Sequence, residues 1–323
     1  MGKKDITLKD YLSDRRRYAD LINGAVFCGE EIVCPDTLTE ANAVQSMFRN
    51  GQALERTNDL VMKQDRDGKL FAVWIVANQE HIDYSMPARV MLQEALEYDR
   101  QLKKIKRETP GQALRDDAEF LCGIRREERL RPVVTLIVYW GSEAWQGAES
   151  MHDLIDFGED VELADRLRAL VPVYPLHILR LSEQKDYECF RTELGMLFAL
   201  YARRNDRSGF KEYLDTHKAC CNMDDETCQT LGMMTGSASL LNLSRRSKDE
   251  EKEEINVCRA IDELIEEGVR EGKKAGISEG IAEAVKAMAA GMRKLEIPQR
   301  TICRMIAEEF HMSMEQAEQF LQA

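Results

Sequence analysis

Apolar residues recur at helical spacing through residues 14–28 (DRRRYADLINGAVFC), a stretch that also carries Asp20. The next segment, Glu30 to Pro35 (EEIVCP), reads as a short strand ended by its proline. Residues 37–48 fit a turn of helix followed by extended chain. The pattern then becomes that of a sheet. Asp59 to Lys63 is a strand, and Asp65-Arg66-Asp67-Gly68 is a polar hairpin turn with glycine last. Leu70 to Val76 is continuously apolar, as expected of a strand covered on both faces. A helix is predicted from Tyr84 to about Lys106, with Pro87 near its first turn, where a missing N–H costs little. Val133 to Trp140 (VVTLIVYW) is the strongest strand in the chain and is predicted to be central. A loop at 141–147, a helix near 148–156, a strand at PLHIL within 172–181 and several helices over 187–236 complete the main body. Strands alternating with long helices predict an α/β core.

The pattern changes at Ser244 to Glu254 (SRRSKDEEKEE), which is dense in charge and lacks apolar residues. It divides the chain into a main domain, 1–240, and a charged linker with a helical C-terminal arm, 241–323. In that arm Gly268, Gly272, Gly276 and Gly280 recur every fourth residue. Each glycine costs about 1 kcal/mol in a helix interior. The stripe therefore marks either close helix–helix contact or a marginal, fraying helix. A membrane dimer motif is excluded by the Glu, Arg and Lys residues between the glycines. The arm is expected to stand apart from the main domain and to mediate self-association into a homo-oligomer. Residues 297–321 read as two short helices around His311-Met312-Ser313, with Ser313 as N-cap and Gln316 three residues on. The second lacks Arg and Lys, which disfavours a DNA-recognition helix.

Charge narrows the partners. The net charge of −13 means that contact with nucleic acid must use local basic patches against an unfavourable overall field. Candidate patches are Arg15 to Arg17, Lys103 to Arg107, Arg125 to Arg131 and Arg203 to Arg207, each also readable as a solvated helix face. Nine scattered cysteines without paired spacing argue for reduced thiols. No apolar run approaches the length of a membrane span and the first residues lack a signal-peptide core, so a cytoplasmic protein is expected.

Hydrolysis of a phosphodiester by metal ions needs oxygen ligands that hold Mg²⁺ and leave room for water and phosphate. One carboxylate at a strand start and another on the same face of the next strand meet that need. A third polar residue, two positions further, points the same way because strand side chains alternate. Asp59 takes the first place, and Ala77 and Gln79 take the second and third. Asp20, on the first predicted helix, is placed to contact the metal or its water shell. Glu80 projects to the opposite face from Gln79 and does not replace a carboxylate at 77.

Several segments carry a resemblance. They are Tyr18 to Asn23, Arg56 to Val61, Ala77-Asn78-Gln79, Ile82 to Met91 (IDYSMPARVM), Tyr98 to Gln101, Tyr139-Trp140-Gly141 with Trp145-Gln146-Gly147, and the Glu-Gly steps of the tail. In that order the chain resembles the recombination-promoting nuclease and transposase-like group (Rpn or YhgA-like proteins) of the PD-(D/E)xK nuclease superfamily. Ile82 to Met91 is the most specific part. The resemblance implies a mixed central sheet flanked by helices, DNA as partner, and Mg²⁺ held by Asp59 with support from Asp20, while Gln79 orients water. The family pattern on the second strand is Glu-x-Gln, and this chain has Ala77 in the Glu position. Two functions follow: a DNA endonuclease weakened by loss of that carboxylate, or an inactive nuclease fold kept for DNA binding or protein interaction.

Other constellations carry less. His217, Cys220, Cys221 and Cys228 lack the paired spacing of a zinc site. His81 and His152 are isolated, and Trp74 within the apolar strand reads as core. No phosphate-binding loop, dinucleotide fingerprint or nucleophile elbow is present.

Overall fold

The structure is a computed structural model, and it describes residues 3–41, 44–49, 52–57, 60–184, 186–217, 222–238, 240–242, 254–256, 285, 288–289, 292 and 298–310. The chain divides into two units, Met1–Val257 and Cys258–Ala323.

The first unit is built on a mixed five-stranded sheet in the order β1-β4-β5-β6-β7. Its strands are β1 (Leu38–Glu40), β4 (Leu60–Arg66), β5 (Lys69–Gln79), β6 (Val133–Tyr139) and β7 (His177–Arg180). β2 (Val44–Arg49) and β3 (Gln52–Thr57) form a separate antiparallel hairpin. The β1–β4 and β4–β5 pairs are antiparallel, whereas β5, β6 and β7 run parallel. The expected turn joins β4 to β5 through Asp67 and Gly68, both at positive φ (53° and 71°), the conformation a tight two-residue hairpin requires. β5, not β6, is the middle strand of the sheet. The apolar run of β6 reflects burial between two neighbours, and an interior strand one place from the edge has the same sequence signature.

Alternation along β5 sorts the two helical layers. Val73 and Ile75 pack with Val61, Val133 and Tyr98 beneath α3 (Met86–Glu108). Trp74 points the other way, where Phe27 of α2 (Arg15–Phe27) meets its ring edge-on at 5.9 Å and the Tyr18 hydroxyl donates to its carbonyl at 2.9 Å. On that second face α2 is joined by α1 (Lys3–Ser13), α7 (Leu194–Ala202) and α9 (Asp225–Thr235). α7 (LGMLFALYA) is apolar all round and buries Leu194, Leu197, Phe198, Leu200 and Tyr201, as a helix enclosed by its neighbours should.

Glu30 to Pro35 forms no strand. The Asn23 carboxamide accepts the N–H groups of Ile32 (3.1 Å) and Val33 (2.8 Å) and donates to the Val33 carbonyl at 2.9 Å. One side chain thus satisfies backbone groups that a sheet ladder would otherwise take. Three short strands went unforeseen: β3, and β8 (Asn222–Asp224) with β9 (Glu254–Asn256), which pair antiparallel. The last two carry the main unit past the expected boundary at 240.

In the second unit, α10 (Gln299–Glu309) places Ile302 and Ile306, one turn apart, in a small core with Val285, Ala289 and Met292. The glycine stripe at 268–280 and the helix expected after Ser313 lie outside the described residues. Among the described residues no helix is long and apolar enough to cross a membrane.

Candidate functional site

Ala77 and Gln79 sit at the carboxyl end of β5, opposite Ile137 and Tyr139 of β6. Ile137 and Tyr139 belong to the cluster with Met86 and Val90 of α3, so Ala77 and Gln79 share the α3 face. Asp59 lies outside the described residues.

Asp20 is buried on α2, against the other face of the sheet. One carboxylate oxygen accepts the N–H of Arg191 at 2.8 Å. The other accepts the N–H of Thr192 at 2.8 Å and its hydroxyl at 2.6 Å. One turn later on the same helix, Gly24 leaves space for the Phe190 ring, which a Cβ there would meet at 2.4 Å. Asp20 and Gly24 together dock the 190–192 segment that leads into α7. Neither Ala77 nor Gln79 lines the cavity of about 310 Å³ in which Asp20 sits.

Asp59 is not among the described residues, and the remaining expected ligands do not by themselves make a Mg²⁺ site. Ala77 offers no oxygen, and both oxygens of Asp20 are engaged by the 191–192 backbone and hydroxyl. Glu80 does not fill the gap, because it pairs with Lys4 of α1 at 2.8 Å, which holds its carboxyl below the usual range. Among the described residues no group of three or more His, Cys, Asp or Glu side chains is arranged to hold a metal.

A larger cavity, about 570 Å³, opens at the carboxyl ends of β5 and β6. In open α/β sheets this is where ligands collect, because the loops leaving parallel strands converge there. The floor is built by the Tyr139-Trp140-Gly141 segment. Trp140 donates its backbone N–H to the Gln79 carbonyl at 2.8 Å and its indole N–H to Asn78 Oδ1 at 2.9 Å. The Tyr201 hydroxyl donates to the Trp140 carbonyl at 3.1 Å. Arg204 lies 3.9 Å from the centre of the Tyr201 ring and donates to the carbonyls of Tyr201 (2.9 Å) and Trp140 (3.4 Å). Gly141 is required because a Cβ there would stand 2.1 Å from the Tyr139 hydroxyl oxygen. The walls carry Glu80, His81, Tyr84 and Glu143. Burial, with Glu143 and Glu183 nearby, raises the Tyr139 phenol above its ordinary pKa. The sequence signal for this site was the Tyr139-Trp140-Gly141 block. Lys4, Tyr201 and Arg204 come from distant elements and carry no local signature.

Some members of the basic patches are engaged within the fold. Arg17 is buried between Asp224 (2.8 Å) and Glu226 (2.7 Å). Arg125 pairs with Glu128, and Arg203 donates to the Ala199 carbonyl at 2.9 Å. Lys103 pairs with Asp99 at 2.7 Å. Lys103, Lys104, Lys106 and Arg107 remain exposed on the last turns of α3. His152 hydrogen-bonds the Val171 carbonyl at 2.8 Å, and Trp74 is core, its indole N–H donating to Gln64 at 3.0 Å. Cys220 and Cys221 lie outside the described residues, and Cys228 is buried, which pushes its thiol up to about 12.

No family model matches the chain, and no curated protein and no solved structure matches it either.

Proposed function

We propose that this protein is a nuclease-like, DNA-associated protein of the recombination-promoting, transposase-like type, acting in the cytoplasm, that binds DNA and cleaves it weakly or not at all. The observation that carries the reading is Ala77. It stands beside Gln79 on the α3 face of β5, where a methyl group replaces the carboxylate that metal-assisted hydrolysis needs. The engagement of Asp20 by Arg191 and Thr192 supports it, since that carboxylate is held for packing. The exposed basic end of α3 is the DNA-contacting candidate. The runner-up is an active Mg²⁺-dependent endonuclease relying on Asp59, favoured by retention of Gln79 next to the strand that Asp59 precedes.

Plasmid DNA incubated with Mg²⁺ or Mn²⁺ decides between them. The wild-type chain is expected to leave supercoiled plasmid intact while retarding it, with affinity falling steeply with salt, by a log–log slope of about −0.9 per phosphate contacted. Ala77→Glu is expected to introduce metal-dependent nicking. Robust wild-type cleavage abolished by Asp59→Ala would establish the runner-up. Absence of any salt-dependent DNA retention would overturn both.

A further inference from the structure

The cavity at the ends of β5 and β6 has two features that packing does not use. Tyr84 is 66% exposed on its wall, and its ring meets no other ring among the described residues. Glu143 is exposed there and forms no ion pair among the described residues. The charges around the space balance, with Lys4 and Arg204 against Glu80 and Glu143. A phosphate or a lone cation would therefore meet as much repulsion as attraction. A flat, uncharged ligand with hydrogen-bond donors on its edge fits better. Aromatic faces stack on bases irrespective of sequence, and carboxylates accept hydrogens from exocyclic amines. At about 570 Å³ the space lies within the range of small-molecule sites.

We propose that this cavity binds one unstacked nucleobase carrying an exocyclic amine, stacked on Tyr84 and read by Glu143. Cytosine, adenine and guanine qualify, and thymine does not. Ser142, Asn205 and Thr235 supply further polar groups around the same space. The base can arrive as a free nucleoside or within an unpaired stretch of DNA, and only the second source rests on the DNA-binding reading above.

Calorimetric titration of the full chain with cytidine, guanosine, thymidine and ribose tests the site. Cytidine or guanosine is expected to bind saturably and at least fivefold more tightly than thymidine, with ribose silent. Tyr84→Ala is expected to weaken binding about tenfold, and Tyr84→Phe to preserve it. Glu143→Ala is expected to erase the preference over thymidine. Unchanged melting temperatures confirm that these exposed positions report on binding and not on folding. Single-stranded oligonucleotides with one cytosine or one abasic position in a thymidine tract separate the sources. A preference for the cytosine strand assigns DNA, and nucleoside binding without it assigns a free ligand. The proposal is overturned if no nucleoside binds saturably, if thymidine equals cytidine, or if Tyr84→Ala binds as wild type.

Discussion

Asp20 accepts three hydrogen bonds from two consecutive residues, Arg191 and Thr192. Removing the carboxylate leaves two backbone N–H groups without an acceptor beside a packed helix. Asp20→Ala is expected to cost about 2–4 kcal/mol, seen as a lower urea midpoint at unchanged slope. A residue that acted on a metal would instead lose activity with stability intact. A wild-type midpoint for Asp20→Ala would refute the docking role. The partners of Asp20 lie 171 and 172 residues further along the chain, so no local pattern announces them. The placement of Ala77 and Gln79 on one face was legible, because strand alternation is a local property.

At the level of elements, side-chain caps set several helix starts. Asp206 Oδ1 accepts the Gly209 N–H at 3.1 Å and the Ser208 hydroxyl at 3.0 Å at the start of α8 (Arg207–Thr216). The Gly209 bond, with help from Ser208, holds this carboxyl below its ordinary pKa. A depressed carboxyl contributes its full stabilisation above the unfolded value of about 3.9 and loses it as pH falls through the folded value. Asp206→Asn, which can cap at every pH, should therefore flatten the fall in melting temperature below about pH 4. Equal acid sensitivity in the two chains would exclude the cap as a contributor. The cap of α9 does double duty: Asp224 accepts the Thr227 N–H at 2.6 Å and pairs with Arg17 of α2. The hairpin at Asp67-Gly68, the long α3 and strands β5, β6 and β7 were all readable, since turn chemistry and apolar runs are written locally. Glu30 to Pro35 was misread for the opposite reason. Its apolar residues resemble a strand, but its backbone partner is the side chain of Asn23 on the preceding helix.

For the whole molecule, the pairing of β9 with β8 moves the end of the main unit from 240 to Val257. A chain ending at residue 257 is expected to melt as cooperatively as the full chain. One ending at 249 loses β9 and leaves β8 unpaired, a loss of about 1–2 kcal/mol, hence about 2–8 °C. If both truncations melt alike, the β8–β9 ladder contributes nothing. Sedimentation of the 1–257 chain also tests whether the second unit drives self-association, since an oligomer that survives the cut must be held by the main unit. The polar seam between the N-terminal helices and the β8–α9 segment has a kinetic side as well. Tyr11 shares a hydrogen bond at 2.8 Å with Thr227, 216 residues later, and Arg17 waits for Asp224 and Glu226. At about 5–20 residues per second, the ribosome needs roughly 10–45 s after Tyr11 to make Thr227. During that interval water takes the place of the partners of Arg17 and Tyr11. The N-terminal helices are thus a docking platform held open until residues 224–227 have been synthesised.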